Sequence, residues 1–401
     1  MLLAGCASLQ APWQKAVDVD RFQAYEGPDG TPIFPASVDT DIPDVDILSV
    51  SSEMAFALEN AIARAKDAKG RMDALVGFLL RRVHYDTLAD SYGAKTARET
   101  FESGTGNCLS FSNLFVALAR HAGLKAGYQE IPTPPNWERD REVLISTRHI
   151  GASIDIRDGM DRMILLEVTG PAQTFVIDDS RRYFFIPSVL SSSAPDIDLY
   201  SVRMITDKNA FAQYYNNLGS RYMAEGNGAD AFRYFIKAVK TDQTLSYAWS
   251  NLGVAYGRNG QYEAAREAFQ HGMAITSGKR DVTALTILNN LVELYSRSGD
   301  EEKAEFYRSE VASFRRKNPY YQYTVARKAF TDGLYEESVR HFRRAIRLKD
   351  DEHLFHYGLA LAYEKLGNMK KAEKYIKRAK FHAFGEKRKL YYDRVREAMV
   401  K

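Results

Sequence analysis

The stretch Tyr215-Asn216-Asn217-Leu218-Gly219-Ser220-Arg221-Tyr222 returns 34 residues later as Trp249-Ser250-Asn251-Leu252-Gly253-Val254-Ala255-Tyr256. Its companions keep step, with Ala231, Phe235 and Ala238 after the first copy and Ala265, Phe269 and Gly272 after the second. A fixed period of this length marks helix pairs that stack, because one pair alone has too little apolar surface to bury. A third unit carries Leu291, Tyr295, Gly299 and Ala304, after a five-residue insertion at 277–281. A fourth carries Gly333, Phe342 and Ala345, and a fifth Leu359, Tyr363, Gly367, Ala372 and Ala379. The units are 212–245, 246–279, 285–318, 319–352 and 353–385, closed by a polar capping helix over 386–401. Small residues let the two helices of a unit approach, and aromatics fill the space between units.

This pattern resembles the tetratricopeptide repeat. The resemblance implies an all-α solenoid with a concave groove, and such grooves take an extended peptide or a partner helix. The expected ligand is therefore a peptide or protein. Tyr214, Tyr222, Tyr247 and Tyr256 stand near that groove, but several are consensus packing positions, so core is the expected role and none is named as a binding residue.

Upstream the pattern changes. Residues 1–50 contain Gly27-Pro28-Asp29-Gly30, Pro32, Pro35 and Asp39-Thr40-Asp41-Ile42-Pro43-Asp44, an acidic, breaker-rich run that reads as a flexible tether. A serine cap at Ser51-Ser52 opens a helix to about 66, and a second helix bears Met72, Leu75, Val76, Phe78, Leu79 and Val83 on one stripe. A short helix from Thr96 runs into the glycine loop Gly104-Thr105-Gly106, and a strong helix covers 108–121 before Gly123. Strands are expected at 126–131, 143–156, 162–169, 174–177 and 182–186. Helices followed by an antiparallel sheet make 51–206 an α+β domain.

Cys108 stands where the glycine loop becomes a helix. Unpaired amides and the positive end of the helix dipole at such a point favour a thiolate and can hold an oxyanion, so one place supplies a nucleophile and its transition-state partner. His149 lies in the alternating run His149-Ile150-Gly151-Ala152-Ser153-Ile154-Asp155-Ile156, on its polar side. Taken alone it reads as a satisfied structural histidine.

The run from Gly106-Asn107-Cys108-Leu109-Ser110-Phe111 to Leu118-Ala119-Arg120-His121-Ala122-Gly123-Leu124 resembles the transglutaminase-like superfamily. That resemblance implies a papain-like fold and acyl transfer or amide hydrolysis through a thioester. Carried over by position, Cys108 is the nucleophile and His149 the general base. Glu167, in Leu166-Glu167-Val168-Thr169-Gly170, takes the place of the family's usual aspartate and orients the imidazole. An odd-numbered loop around Asp158-Gly159 puts His149 and Glu167 on one face of the hairpin, and a strict two-residue turn does not. Asp155 is the fallback acid. Asn107 has two readings, helix cap or oxyanion donor. Leu109 replaces the aromatic residue common after the cysteine in calcium-dependent transglutaminases, and no calcium loop is recognisable, so hydrolysis is expected over cross-linking. No cofactor is called for, and Cys108, His121 and His149 lack the grouped spacing of a zinc site.

The other cysteine, Cys6, closes Leu2-Leu3-Ala4-Gly5-Cys6-Ala7-Ser8, which resembles the lipobox of bacterial lipoproteins. That reading implies an acylated Cys6, a lipid anchor and an address in the cell envelope. Ala7 after the cysteine points to the outer membrane, facing the periplasm. The net charge of +3 conceals an excess of 23 Lys and Arg over 11 Asp and Glu from 311 onward, a charge that suits an anionic envelope surface. Nucleic acid is not an expected partner, since no recognition motif is present. Two functional readings follow. One is an anchored cysteine peptidase, amidase or acyltransferase whose repeats recruit the substrate or a regulator, and the other is an adaptor that keeps the thiol fold without turnover.

Overall fold

The computed structural model describes residues 42–85, 93–131, 149–156, 162–167, 173–178, 183–186, 203–276 and 282–383, with 389, 392–393 and 395–396 near the chain's end. Cys6 lies outside the described residues, as do 143–148 of one expected strand and the insertion at 277–281. No helix among the described residues is long and apolar enough to cross a membrane.

The first domain is ordered by its helix caps. Ser51 accepts from Met54 N to open α1 (Ser52–Ile62), and Asp67 accepts from Gly70 N to open α2 (Ala68–Arg82). Thr96 and Glu99 form a reciprocal capping box at α3 (Ala97–Ser103), which Gly104 ends at φ 64°. Between these helices His84–Tyr85 (β1) pairs in parallel with Thr105–Gly106 (β2), a ladder that the sequence reading did not contain. It ties the glycine loop to the end of α2, with His84 N donating to Gly104 O at 2.9 Å.

Helix α4 (Cys108–His121) is the axis of the domain. Every residue over 109–119 is buried, as expected of a helix covered on all sides. One side meets α1, α2 and α3, and the other meets a six-stranded sheet. The strands are β3 (Lys125–Ile131), β4 (His149–Ile156), β5 (Arg162–Glu167), β6 (Gln173–Asp178), β7 (Tyr183–Ile186) and β8 (Arg203–Ile205). Their order is β7-β6-β5-β4-β3-β8 and every pairing is antiparallel. The edge strand β8 was not expected. Its partner lies about 75 residues back in the chain, a contact that no local pattern announces.

The repeats follow at once. They are α5 (Asp207–Ala224) with α6 (Gly228–Thr241), α7 (Ser246–Arg258) with α8 (Tyr262–Ile275), α9 (Val282–Arg297) with α10 (Glu301–Lys317), α11 (Pro319–Thr331) with α12 (Tyr335–Leu348), and α13 (His353–Lys365) with α14 (Met369–His382). Gly226, Gly260, Gly299, Gly333 and Gly367 turn the chain between the helices of each pair at φ between 71° and 81°, a region that glycine enters without strain. The Leu-Gly glycines are packing devices, since a Cβ on Gly219 would lie 2.6 Å from the Phe235 ring and one on Gly253 would lie 2.7 Å from Phe269. First helices of successive repeats touch one another, α5 with α7, α7 with α9 and α11 with α13, so they line the inner side of the stack.

Three expectations change. The tether was drawn to residue 50, but its end is a strap between the two parts of the molecule. Ile47 is buried and its carbonyl accepts from Ala97 N, while Val45 N donates to the Tyr215 hydroxyl and Asp44 pairs with Lys237 at 2.6 Å. The first repeat was drawn from 212, but α5 starts at Asp207, because Thr206, directly after β8, caps it. The closing segment was drawn as polar, yet Tyr392 is buried, with its hydroxyl 2.7 Å from His353 Nδ1.

Three hydrophobic clusters result, the smallest made by Ala360, Ile376, Ala379, Ala383 and Tyr392 at the end of the array. One buried cluster runs without interruption from Ile47 through α4, the sheet and the first three repeats to Ala304. Arg120 holds Asp207 with two bonds of 2.6 and 2.8 Å, and Tyr128 meets Phe211 edge-on at 6.5 Å, so the first repeat is docked on the α+β domain. A second cluster, from Tyr323 to Ala372, belongs to the last two repeats alone. Asn318 separates the units and is both the last cap of α10 and the first cap of α11.

Candidate active site

Cys108 is the first residue of α4, partly exposed and outside any disulfide. The loop that delivers it is tightly held. Gly106 is buried, and a Cβ there would lie 2.8 Å from Ser110 Cβ. Asn107 resolves to the cap: its Oδ1 accepts from Ser110 N at 3.0 Å and from Ser110 Oγ at 2.9 Å, and its Nδ2 donates to Gly93 O at 3.2 Å. Ser110 Oγ in turn accepts from Lys95 N at 2.9 Å. One turn further on, Asn113 donates to Lys95 O at 2.9 Å and accepts from the Tyr128 hydroxyl at 2.8 Å. Burial pushes the Tyr128 hydroxyl far above its usual range, so it stays a neutral donor.

Ser110, Ser112, Asn113 and Tyr128 were not singled out from sequence. The signal was available: three polar residues within one turn of a helix otherwise apolar all round have to find partners inside the protein. Ser112 matters most for the site. Its hydroxyl lies 2.8 Å from Cys108 O and 3.3 Å from Ile150 O, joining the first turn of α4 to the start of β4.

The direction of the two elements follows from three contacts. Ser112 meets Ile150, Asn113 meets Tyr128, which pairs with Ala152, and Arg120 Nε donates to Ala126 O, whose residue pairs with Ile154. Helix α4 and strand β4 therefore run the same way, and their first residues, Cys108 and His149, stand at the same end of the domain. His149 opens β4 opposite Ile131.

Glu167 comes to that end as well. Arg162 pairs with Ile156 and Leu166 with Ala152, leaving five residues, 157–161, in the loop. The count is odd, so Glu167 shares the alternation of His149, Gly151 and Ser153 and lies next to Gly151 in the ladder. The same alternation separates these positions from Ile150, Ala152 and Ile154, which lie buried on the α4 side. Asp155 shares it too, but six residues along a strand is about 20 Å, so it is too far from position 149 to orient that ring. The fallback acid is thereby removed by distance. The register brings the backbones of His149 and Glu167 to one end of the sheet, the end at which Cys108 opens α4.

On the repeats, Tyr214, Tyr247 and Tyr256 are buried, and Tyr222 stacks on Tyr234 at 5.2 Å, so these aromatics pack as expected. The inner helices share a buried polar ladder: Asn251 donates to Asn216 at 2.8 Å, and one repeat later Asn290 donates to Ser250 at 3.2 Å. Beside it a shallow hollow opens between α7 and α9, lined by Gly257, Asn290, Glu293, Leu294 and Arg297.

Comparison with known proteins finds both parts of the chain. The profile of the Transglutaminase-like superfamily matches residues 57–158, and Tetratricopeptide repeat profiles match 211–241, 244–317 and 323–386. The chain thus carries a transglutaminase-like domain followed by tetratricopeptide repeats. It is also similar to the uncharacterized protein MJ0572 of Methanocaldococcus jannaschii, 36% identical over 64 residues, which are 16% of this chain and 74% of that protein. Among solved structures it is similar to the APC/C hetero-tetramer Cut9-Hcn1, at 17% identity and a TM-score of 0.24 over 43% of this chain and 33% of that one, so it spans about a third of that chain. It is similar as well to MamA from Desulfovibrio magneticus RS-1, at 16% identity and a TM-score of 0.24 over 43% of this chain and 93% of that one. The repeats mark a protein that binds other proteins, and the first domain has the fold of a cysteine-dependent catalyst.

Proposed function

We propose that the protein is an envelope lipoprotein, anchored through Cys6 to the outer membrane on its periplasmic side, whose thiol domain cleaves or transfers an amide acyl group on a peptide or protein. Cys108 Sγ attacks the amide carbonyl carbon while His149 takes the thiol proton. The same imidazole returns the proton to the nitrogen as the carbon–nitrogen bond breaks, leaving a thioester on Cys108 and a free amine. Water then attacks the thioester to release a carboxylic acid, or a second amine attacks it to form a new amide. Glu167 orients the imidazole, and backbone amides at the start of α4 stabilise the oxyanion. The repeats recruit the substrate or a regulator to the inner groove. The observation that carries this reading is the Ser112 bridge, which draws the start of α4 and the start of β4 together.

The test is the pH profile of Cys108 alkylation in a Cys6→Ser background, where one thiol remains. A thiol paired with His149 is alkylated well below the ordinary cysteine range of about pH 8.5, and His149→Ala moves the profile back up. Alkylation that tracks free cysteine and ignores His149→Ala identifies the chain as an adaptor. Trapping with Cys108→Ala in envelope extracts then identifies the substrate as material that the repeats alone do not retain.

A further inference from the structure

The second helices of the last two repeats differ from those of the second and third position for position. Counted from the turn glycines of the second to fifth repeats, the seventh, tenth and fourteenth residues lie on the outward stripe of the helix, whereas the first repeat has Arg233, the buried Ile236 and Lys240 at these places. In the second and third repeats none of these six positions is Lys or Arg. In the fourth and fifth they are Arg340, Arg343, Arg347, Lys374, Lys377 and Phe381, all exposed. The two stripes lie on the second helices of consecutive repeats.

The charge on them is not internally matched. In helix α10, Arg308 pairs with Glu301 and Glu305, and Lys303 with Asp300 at its cap. On the ridge of α12 and α14 only Lys377 has such a partner, Glu373 at 2.8 Å, and no acid pairs with the other four cations among the described residues. Helix α14 carries six Lys and Arg against one Glu. Like charges on neighbouring helices repel, and an anionic partner relieves that repulsion.

Apolar side chains mark both ends of the ridge. Phe381 is 81% exposed at the end of α14 and Leu348 41% at the end of α12, while Leu334 and Met369 are exposed at their starts. Cations framed by exposed apolar side chains suit a lipid headgroup layer, where ammonium and guanidinium groups meet phosphates and a ring enters the acyl boundary. Nucleic acid and acidic peptides satisfy the charges but leave the apolar ends in water.

We propose that the outer face of α12 and α14 docks on the surface of an anionic phospholipid bilayer. This inference does not rest on the thiol chemistry. It gives the last two repeats, which have their own core, a task separate from the groove.

The test uses the full chain in the Cys6→Ser form, sedimented with vesicles of phosphatidylcholine alone or mixed equally with phosphatidylglycerol. Binding to the mixed vesicles only, weakening as salt rises, is the expected result. Replacing Arg340, Arg343, Arg347 and Lys374 together with alanine lowers that binding at least about tenfold. Phe381→Ser lowers it severalfold and leaves the salt dependence in place. A circular dichroism spectrum unchanged in both variants shows that the loss is not unfolding. Equal binding to the two vesicle types, no loss in the quadruple variant, or tighter binding to duplex DNA or polyglutamate than to the vesicles overturns the proposal.

Discussion

The first three repeats and the last two are built to one plan but belong to different bodies. In the first set the apolar cluster continues into the α+β domain, and the joint is made by a strap, a bidentate Arg120–Asp207 pair and the Tyr128–Phe211 contact. In the second set the cluster is separate, and polar contacts around Asn318, such as Gln322 Nε2 donating to Arg315 O at 2.7 Å, link it to what precedes. A repeat array is therefore not one arm here. Its first part is the wall of the thiol domain, and its second is a body with its own surface chemistry.

The strongest way to break that distinction is to empty each core in turn. Trp249→Ala and Phe342→Ala each remove a fully buried ring at a cost of about 3–5 kcal/mol. Thermal unfolding followed by Cys108 accessibility and by total helicity separates them. Trp249→Ala exposes the thiol at lower temperature, and Phe342→Ala lowers helicity without moving thiol exposure. Equal effects of both on the thiol would make the array one cooperative body.

Next in size is Asn113→Ala, which leaves the buried Tyr128 hydroxyl and Lys95 carbonyl without their partner at a cost of about 1–3 kcal/mol. Chemical denaturation reads it as a lower midpoint of the first body alone, with faster alkylation of Cys108 as α4 loosens.

Acid sharpens the comparison from the other side. Burial holds His356 below the ordinary histidine value, with His382 stacked 5.0 Å away and Arg378 adding to the effect against the opposing Asp350. His341 is likewise held down by burial, which with Arg340 and Arg344 beside it overcomes the opposing Glu337. Both bind protons more weakly folded than unfolded. Their contribution is intact above about pH 6.5 and is lost as the pH falls from there towards the lowered folded values. Melting at pH 7.5 and pH 5 is expected to show the last two repeats losing more stability than the rest. An unchanged gap between the two transitions would remove histidine burial as the cause.

The smallest effect is at the joint itself. The Arg120–Asp207 pair is more than a third exposed on both sides, so Arg120→Ala costs only about 0.5 kcal/mol after screening, and less in high salt. Tyr128, Phe211 and the strap keep the bodies docked, and a full loss of docking in this variant would show that the ion pair, not the apolar contact, is the joint.

Several of these features were legible in the sequence. The 34-residue period named the helix pairs, because stacking demands the same small and aromatic residues at each turn of the plan. The cap at Asn107 and the buried run after it announced α4, whereas the parity of the β4–β5 connection, on which the Glu167 reading turned, stayed open until the register decided it. What stayed hidden involved partners far apart in the chain: the strap from 42 to 50, the edge strand β8, and the ladder of β1 with β2. Asp155 is the instructive miss. Its parity was right, and its distance from His149 is set by strand rise, which an alternation pattern does not convey.

By itself the sequence determined the periods, the caps and the residue types at each site, since these follow from contacts within a turn, a hairpin or one repeat. Only the tertiary structure decided which elements share a core, where the array divides, and that Cys108 and His149 start their elements at the same end. Those outcomes depend on apolar surfaces that meet across scores of residues, and burial records no address in the local pattern.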